Sequence, residues 1–321
     1  MKTIATLLLF SAFLPLLSAQ QIPLFTQYRE YHTLINPAAV TSDFLTYEYN
    51  MSAGLSYRKQ FAGIPNGIEN QSGQFNWLSL KQKLLVSGFL LRDKTGPSST
   101  VGGYGRIGYI LSYDPRKSGF AFGLNIGALQ YGIKVSDITF VDEGDVMATQ
   151  NLTKVYPDVG FGAFYYTSLG GGWEGDKIYA GVSVPQMFGL DLNLRDASDN
   201  EFRMTRIQHF YAHIGLLKYI NENSFIEPSV WVKYVPGAPV NVDCNFRVQL
   251  SQILFLGAGY ATSKDLHLEV GLQLGDILGM ENKLLRLGYG FDRYFSQIGP
   301  VFGATHEINL VYSFSSASRR R

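Results

Sequence analysis

Residues 266–274 read Leu-His-Leu-Glu-Val-Gly-Leu-Gln-Leu, so that an apolar side chain alternates with a polar or small one at every step. Successive side chains of a β-strand point to opposite faces, and this stretch therefore predicts a strand with one apolar and one polar face. The same alternation occurs in 242–250 and 120–128. It recurs along most of the chain, in about fourteen segments. The pattern predicts an all-β fold.

The number and length of these segments favour a barrel that spans a membrane. A strand of about 11 residues, tilted by about 40°, rises roughly 28 Å, which matches the hydrocarbon core of a bilayer. We predict a transmembrane antiparallel outer-membrane β-barrel of about 14 strands over 45–314, an irregular N-terminal arm over 20–44 and a tail over 315–321. A soluble β-sandwich or solenoid stays open, because alternation alone does not tell which face meets water. The predicted strands cover 48–60, 71–80, 84–92, 100–113, 119–131, 158–168, 176–185, 208–219, 225–235, 240–250, 253–262, 265–275, 283–293 and 304–314.

The first nineteen residues have the composition of an export signal. Lys2 is followed by an apolar run from Ile4 to Leu17, and Ala19 precedes the polar Gln20. We therefore expect a signal peptide over 1–19 and an outer-membrane location. The alternative is a membrane-anchoring helix, but the run is shorter than the ~20 residues that such a helix needs.

Composition argues against several other classes of protein. The chain has 27 Lys and Arg against 26 Asp and Glu, so its charge gives no reason to expect binding to nucleic acid. Cys244 is the single cysteine, which rules out an internal disulfide. The 22 Phe and 20 Tyr residues would suit the aromatic girdles of a membrane barrel.

The sequence carries no strong signal of catalysis or of a bound cofactor. His209 and His213 share one face of a predicted strand, but four residues along a strand is ~13 Å, too far for both to bind one metal ion directly. We see no nucleophile elbow, paired-carboxylate or zinc-ligand pattern, and we expect neither an enzyme nor a cofactor. A barrel hydrolase remains an alternative, because catalytic groups can meet across strands.

Two predicted loops contain charged residues that could contact a partner protein. Asp142, Glu143 and Asp145 lie in the longest loop, and their spacing does not match a Ca²⁺-binding loop. The loop over 186–207 carries charges of both signs, which suits contact with another protein. Solvated loops that contact nothing are the alternative. The candidate residues of the second loop are Asp191, Arg195 and Arg203.

Motifs at both ends of the chain resemble those of a known family. The N-terminal motif residues are Pro23, Phe25, Gln27, Tyr28, Asn36 and Pro37. The motif residues of the predicted barrel are Tyr57, Arg58, Gln60, Tyr289, Asp292, His306 and Glu307. In this order they resemble the PorP/SprF family of outer-membrane proteins of the Bacteroidetes type IX secretion and gliding motility system. The chain departs from the family pattern in lacking an aromatic residue before Asn36 and a glycine soon after Ala39.

The resemblance implies a non-enzymatic barrel that anchors, or helps to export, a secreted surface protein through its outer loops or its mouth. The implied partners are a secreted type IX cargo protein, membrane lipid and periplasmic or lipoprotein components of the secretion system. The arm over 20–44 would plug the lumen or pack under the barrel. The alternative function is an outer-membrane channel or transporter for a small or hydrophobic solute. An open polar lumen would favour that alternative, and an occluded lumen with an ordered protein-binding outer face would favour the anchor.

Overall fold

The computed structural model describes residues 26–65, 67–134, 152–170, 176–187, 191–195, 201–205, 207–275, 277–280, 282–295 and 299–315, with 191–195 and 201–205 described by their backbone. The predicted signal peptide, Pro23, Phe25 and the acidic stretch of Asp142, Glu143 and Asp145 lie outside these residues. The tail lies outside them as well, except for its first residue. None of the described helices is long and apolar enough to cross a membrane.

Fourteen antiparallel strands form a closed barrel, which confirms the predicted fold class. Each strand pairs with the next along the chain, except that β7 pairs with β10, and β16 closes the barrel by pairing with β1. The strands are β1 Met51–Gln60, β2 Ile68–Ser79, β3 Leu84–Thr95, β4 Ser98–Leu111, β5 Ser118–Ile133, β6 Leu152–Ser168, β7 Lys177–Val184, β8 Asp191–Arg195, β9 Glu201–Thr205, β10 Phe210–Asn221, β11 Ser224–Tyr234, β12 Asn241–Gln249, β13 Leu254–Ala261, β14 Asp265–Gln273, β15 Lys283–Tyr294 and β16 Thr305–Phe314.

The two largest differences from the sequence prediction lie at the start of β6 and in the loop over 186–207. β6 begins at Leu152, six residues before the predicted strand. The prediction began it too late because the pair Tyr156-Pro157 interrupts the alternation. The predicted loop over 186–207 contains two short strands, β8 and β9, which pair with each other as a separate two-stranded sheet. Both strands alternate between polar and apolar residues over their five positions, so the sequence carried a strand signal here that the prediction of a loop passed over.

Alternation along each strand separates a membrane-facing side from a lumenal side. In β16, Ile308 is 52% exposed, whereas its neighbours Glu307 and Asn309 are buried. In β1, Leu55 is 64% exposed and Arg58 is buried. The barrel therefore has an apolar outer wall, and its polar and charged side chains point inward.

The two ends of the barrel differ in the lengths of their connections. The end at which β1 begins and β16 ends carries the connections 80–83, 112–117, 169–176, 222–223, 250–253 and 274–282, none longer than nine residues; we call it the short-turn end. The opposite end carries the short connections 96–97, 235–240 and 262–264 together with 61–67 and the three longest, 134–151, 185–209 and 295–304, and we call it the long-loop end. In bacterial barrels the long loops are extracellular.

The chain before β1 lies inside the barrel. It forms a 3₁₀ turn over Tyr28–Tyr31 and two short helices over His32–Ile35 and Ser42–Tyr47. The second helix begins where the hydroxyl of Thr41 accepts a hydrogen bond from the amide of Phe44 (3.2 Å). The predicted boundary between arm and barrel, at residue 44, falls within this helix. We call residues 26–47 the lumenal plug.

Candidate functional site

The lumenal plug contacts strands all around the barrel. The Thr33 hydroxyl donates a hydrogen bond to the side chain of Gln74 in β2, and the side-chain amide of Asn36 donates one to the carbonyl of Ala163 in β6. In the other direction, Arg106 of β4 and Ser183 of β7 donate to backbone carbonyls of the plug. Further contacts, described below, come from β11, β12, β14, β15 and β16. The described part of the lumen is therefore filled by the protein's own N-terminal segment.

The local conformation at Asn36 follows from the proline that comes next. A residue before proline is disfavoured in the helical region, and Asn36 is extended with φ −136° and ψ 111°, so the preceding helix ends there. Its side-chain oxygen then accepts a hydrogen bond from the amide of Ala38 (2.9 Å). The wall has no side chains at the points of closest approach: a Cβ on Gly162 would lie 2.0 Å from the Asn36 Oδ1, and one on Gly123 would lie 2.0 Å from the Pro37 carbonyl oxygen.

A chain of seven buried charges joins the plug to one side of the wall. Arg29 of the plug lies between Glu227 (3.3 Å) and Glu269 (2.9 Å). Arg247 links Glu269 (3.1 Å) to Glu30 of the plug (2.8 Å). All of these side chains are at most 6% exposed.

The same chain continues from Glu30 to the helix that precedes β1. Arg286 of β15 links Glu30 (2.9 Å) to Asp43, and the other oxygen of the Asp43 carboxylate accepts from Ser313. We call Glu227, Arg29, Glu269, Arg247, Glu30, Arg286 and Asp43 the ionic chain. Positive and negative groups alternate along it, so each buried charge has a neighbour of opposite sign, which a charge in a low-dielectric interior requires.

A second charged cluster lies towards the long-loop end and holds the first described residues of the plug. Arg58 lies 2.9 Å from Asp292 and 3.6 Å from Glu307. The amide of Thr26 donates to Glu307 (2.7 Å) and its hydroxyl to Asp292 (2.8 Å), while the amide of Gln27 also donates to Glu307 (3.3 Å). Residues from both ends of the sequence therefore meet in this cluster.

Aromatic side chains pack between these charged groups. Tyr28 stacks on Trp231 of β11 at 5.0 Å between ring centroids, and its hydroxyl donates to Ser229 (2.5 Å). His32 stacks on His213 of β10 at 5.3 Å, and both rings are buried. Neither imidazole has a hydrogen-bond partner among the described residues.

At the short-turn end, Asp176 ties two hairpins together just outside the strands. Its carboxylate accepts from Lys218 and from the amide of Tyr219 (2.8 Å). Burial opposes ionisation of this carboxyl, but these two hydrogen bonds outweigh it and lower the pKa of Asp176 below its ordinary value.

The motif residues of the sequence prediction fall into two groups. Gln27, Tyr28, Asn36 and Pro37 lie in the plug; Arg58, Asp292 and Glu307 face it, and Gln60 accepts a hydrogen bond from Arg58 (2.9 Å). Tyr57, Tyr289 and His306 instead point outward, with the Tyr289 hydroxyl 2.7 Å from the Nδ1 of His306. Asp191, Arg195 and Arg203 lie in β8 and β9, away from both clusters in the strand order.

Sequence reasoning missed most of the ionic chain. Arg29, Glu30 and Asp43 lie in a segment without periodicity, and Glu227, Arg247 and Arg286 fell within the general expectation of a polar lumen. One signal could have found them: charges of both signs at lumenal positions of β11, β12, β14 and β15, opposite an arm with Arg-Glu at 29–30.

Of the groups that the hydrolase alternative would need, the structure shows a histidine beside two carboxylates. His267 lies 2.9 Å from Asp292 and 3.4 Å from Asp243. In the described part of the chain, no serine hydroxyl is hydrogen bonded to His267, and no group of three or more His, Cys, Asp and Glu side chains could hold a metal ion.

Solved structures with the same fold are outer-membrane barrels. The P. putida toluene transporter TodX is 10% identical with a TM-score of 0.51, and the matched region covers 88% of this chain and 93% of the TodX chain. The CymD monoaromatic hydrocarbon channel is 8% identical with a TM-score of 0.50, and the matched region covers 88% of this chain and 94% of the CymD chain. At these identities the likeness shows the fold alone. No curated protein matches the sequence.

A family model described as "Type IX secretion system membrane protein PorP/SprF" matches residues 17–312, which is nearly the whole chain. The match confirms the resemblance that the motifs carried. The chain with the plugged fourteen-stranded barrel belongs to the PorP/SprF family of type IX secretion system membrane proteins.

Proposed function

We propose that this barrel is an outer-membrane partner of the type IX secretion system that anchors, or helps to export, a secreted surface protein at its long-loop end. The observation that carries the proposal is the lumenal plug, held by the ionic chain and by the cluster around Arg58. A solute channel needs an open path through the lumen, which the plug occupies. A barrel that holds another protein needs a rigid wall, which the plug supports.

The plug makes the barrel suited to bearing a load from outside. Its contacts join β2 and β16 on one side of the barrel to β11 on the other, so a pull on one loop is shared across the wall. Closure of β16 on β1 also leaves no free edge in the barrel. These features support a role as an anchor.

We place the cargo on the loops of the long-loop end. The β8–β9 ribbon carries the candidate residues Asp191, Arg195 and Arg203, and lies outside the barrel strand order. The acidic stretch of Asp142, Glu143 and Asp145 belongs to the connection between β5 and β6 at the same end. Loops with charges of both signs can select a partner by electrostatic complementarity. The signal peptide over 1–19 and export of the chain are part of this proposal.

The test is purification of the tagged barrel from native outer membranes in mild detergent, followed by mass spectrometry. We expect a type IX secreted protein to accompany the wild type, and to be lost when 188–206 is replaced by a short Gly-Ser linker. The matched control replaces the connection 235–240 at the same end, and should keep the cargo. Recovery of periplasmic or lipoprotein components alone would instead indicate a role inside the secretion machine.

A transport function is the second candidate, and one feature of the wall favours it. The outer wall has an apolar depression of about 380 Å³ across β5, β6, β7, β10 and β11, in which Ala163, Ala180 and Ala212 leave space between larger side chains. Phe164, Gly181 and His213 also line it, and these residues contact the plug. A hydrophobic solute entering here would have to displace the plug. A barrel that purifies alone and passes solutes in a planar bilayer would support transport and contradict the anchor.

A further inference from the structure

The outer wall near the long-loop end changes from polar to apolar within two rows of residues. The register of β3, β2, β1, β16 and β15 places one residue of each strand at the same height, in the order Lys94, Glu69, Lys59, His306 and Phe291. The next outward-facing row towards the middle of the wall is Arg92, Gln71, Tyr57, Ile308 and Tyr289. The third row is Leu90, Gly73, Leu55, Leu310 and Leu287.

This change locates the boundary between lipid headgroups and hydrocarbon. The third row is entirely apolar or glycine, as expected for contact with acyl chains. Tyr57 and Tyr289 in the second row are exposed, and aromatic rings at this level are typical of the membrane interface. The first row therefore lies at the level of the headgroups.

The two upper rows carry an excess of positive charge. Lys59, Arg92 and Lys94 face outward, and Arg293 faces outward two residues beyond Phe291 on β15. We call these four residues the basic wall patch. Glu69 is the one carboxylate in the two rows. Within the described residues, none of the four cations has an ion pair or a side-chain hydrogen bond.

The basic wall patch is confined to one side of the barrel. On the described strands from β4 to β14, the outward positions of the long-loop half carry no lysine or arginine, although the exposed Lys134 and Lys264 lie in the connections directly beside β5 and β14. Examples of these outward positions are Val101, Gln130, Val184, Val232, Val242 and Leu266. Basic residues on the lumenal face there, such as Lys233 and Arg247, pair with acidic groups inside. Four unpaired cations on five neighbouring strands therefore form a local feature of the wall.

We propose that the basic wall patch binds the phosphate groups of membrane lipids in the leaflet at the long-loop end. Lysine and arginine bind phosphate through charge-assisted hydrogen bonds. With neighbouring strands about 4.8 Å apart, the row from β3 to β15 is about 19 Å wide, which accommodates more than one phosphate. The apolar rows below it accept the acyl chains of the same lipids. Lipid is thus held on the side of the barrel where β16 closes on β1.

The experiment compares lipid selectivity of three proteins in phosphatidylcholine nanodiscs. Electron paramagnetic resonance measures the association of spin-labelled phosphatidic acid relative to spin-labelled phosphatidylcholine. The patch variant is K59Q/R92Q/K94Q/R293Q. The matched control, K59R/R92K/K94R/R293K, changes the same positions and keeps the charges. All four side chains lie on the outer surface, so the variants should fold, and the shift in gel mobility on heating checks this.

We expect wild type and the charge-preserving control to prefer phosphatidic acid by at least about tenfold, because each basic residue near an anionic lipid contributes about a factor of five and the patch has four. The patch variant should lose most of this preference. Equal selectivity in the patch variant and the wild type would overturn the proposal. Loss of the preference in inorganic phosphate, but not in sodium chloride of equal ionic strength, would identify a general anion site and would also overturn it.

Discussion

Replacing Glu30 by Gln tests whether the ionic chain holds the plug in place. Glu30 is the central carboxylate of the chain and lies 2.8 Å from Arg247 and 2.9 Å from Arg286. The substitution keeps the shape of the side chain and removes its charge. Arg247 keeps Glu269, and Arg286 keeps Asp43, so the loss falls on the attachment of the plug to the wall.

The size of the effect follows from two opposing contributions. Two unit charges about 4 Å apart attract by about 4 kcal/mol at an effective dielectric constant of about 20, so two such pairs give about 8 kcal/mol. Desolvation of the buried carboxylate offsets several kcal/mol of this gain. Removing one partner of a buried pair typically costs about 3–5 kcal/mol, and we expect E30Q to weaken plug docking by that amount.

The assay measures how often the plug opens. In a C244S background, which removes the exposed native cysteine, the buried Ser42 is replaced by the nearly isosteric Cys. A water-soluble maleimide labels this cysteine only when the helix Ser42–Tyr47 leaves its site. A change of about 3–5 kcal/mol should speed labelling by roughly 100- to 3000-fold, at about 1.4 kcal/mol per factor of ten.

The matched control is E48Q in the same background. Glu48 directly follows the plug and pairs with Arg116 at 3.4 Å, but both side chains are exposed, so the pair should contribute less than about 1 kcal/mol. Labelling of E48Q should stay within about fivefold of the parent. If E30Q were labelled no faster than E48Q, the ionic chain would not be what holds the plug.

Three further predictions follow from other contacts. Gly162→Ala should displace the plug and speed the same labelling reaction. Gly105→Ala is the control and should not, because its added methyl group would have nothing within 4 Å. Equal labelling rates in the two variants would argue against close packing of plug and wall. Because the pKa of Asp176 is lowered in the folded protein, its stabilising effect is complete above the ordinary pKa of 3.8 and is lost as pH falls through the lowered pKa. The thermal unfolding temperature of D176N should therefore depend less on pH in that range than that of the wild type. R58M leaves the buried carboxylates of Asp292 and Glu307 without their arginine, and should lower the free energy of unfolding in denaturant by about 3–5 kcal/mol. An unchanged free energy of unfolding would mean that water can take the place of the guanidinium group.

The barrel could be predicted from the sequence because its determinants are local. Alternation in stretches such as 266–274 depends on residues two apart, and the outer wall must be apolar along every strand. The number of strands in the barrel was therefore correct. The β8–β9 ribbon was missed although both of its strands alternate, because they lie in a stretch rich in charges of both signs that was predicted as a loop.

The interior could not be predicted in the same way because its contacts are remote in sequence. The parity of a strand says that Glu269 faces the lumen, but does not say that Arg29 lies opposite it. The motif residues Arg58, Asp292 and Glu307 were found through resemblance, and their meeting with Thr26 is visible only in the folded chain. The patch on the outer wall likewise depends on register between strands far apart in the sequence.

The contact between Thr26 and Glu307 also constrains the order of assembly. These residues are 281 positions apart, and Glu307 lies in β16, so Thr26 can reach this contact only once β16 has taken its place in the barrel. Closing a loop of that length costs about 5 kcal/mol in chain entropy before any contact is gained. Until β16 pairs with β1, Arg58 also lacks Glu307, and the barrel keeps an open seam. Docking of the N-terminal segment is thus coupled to closure of the barrel.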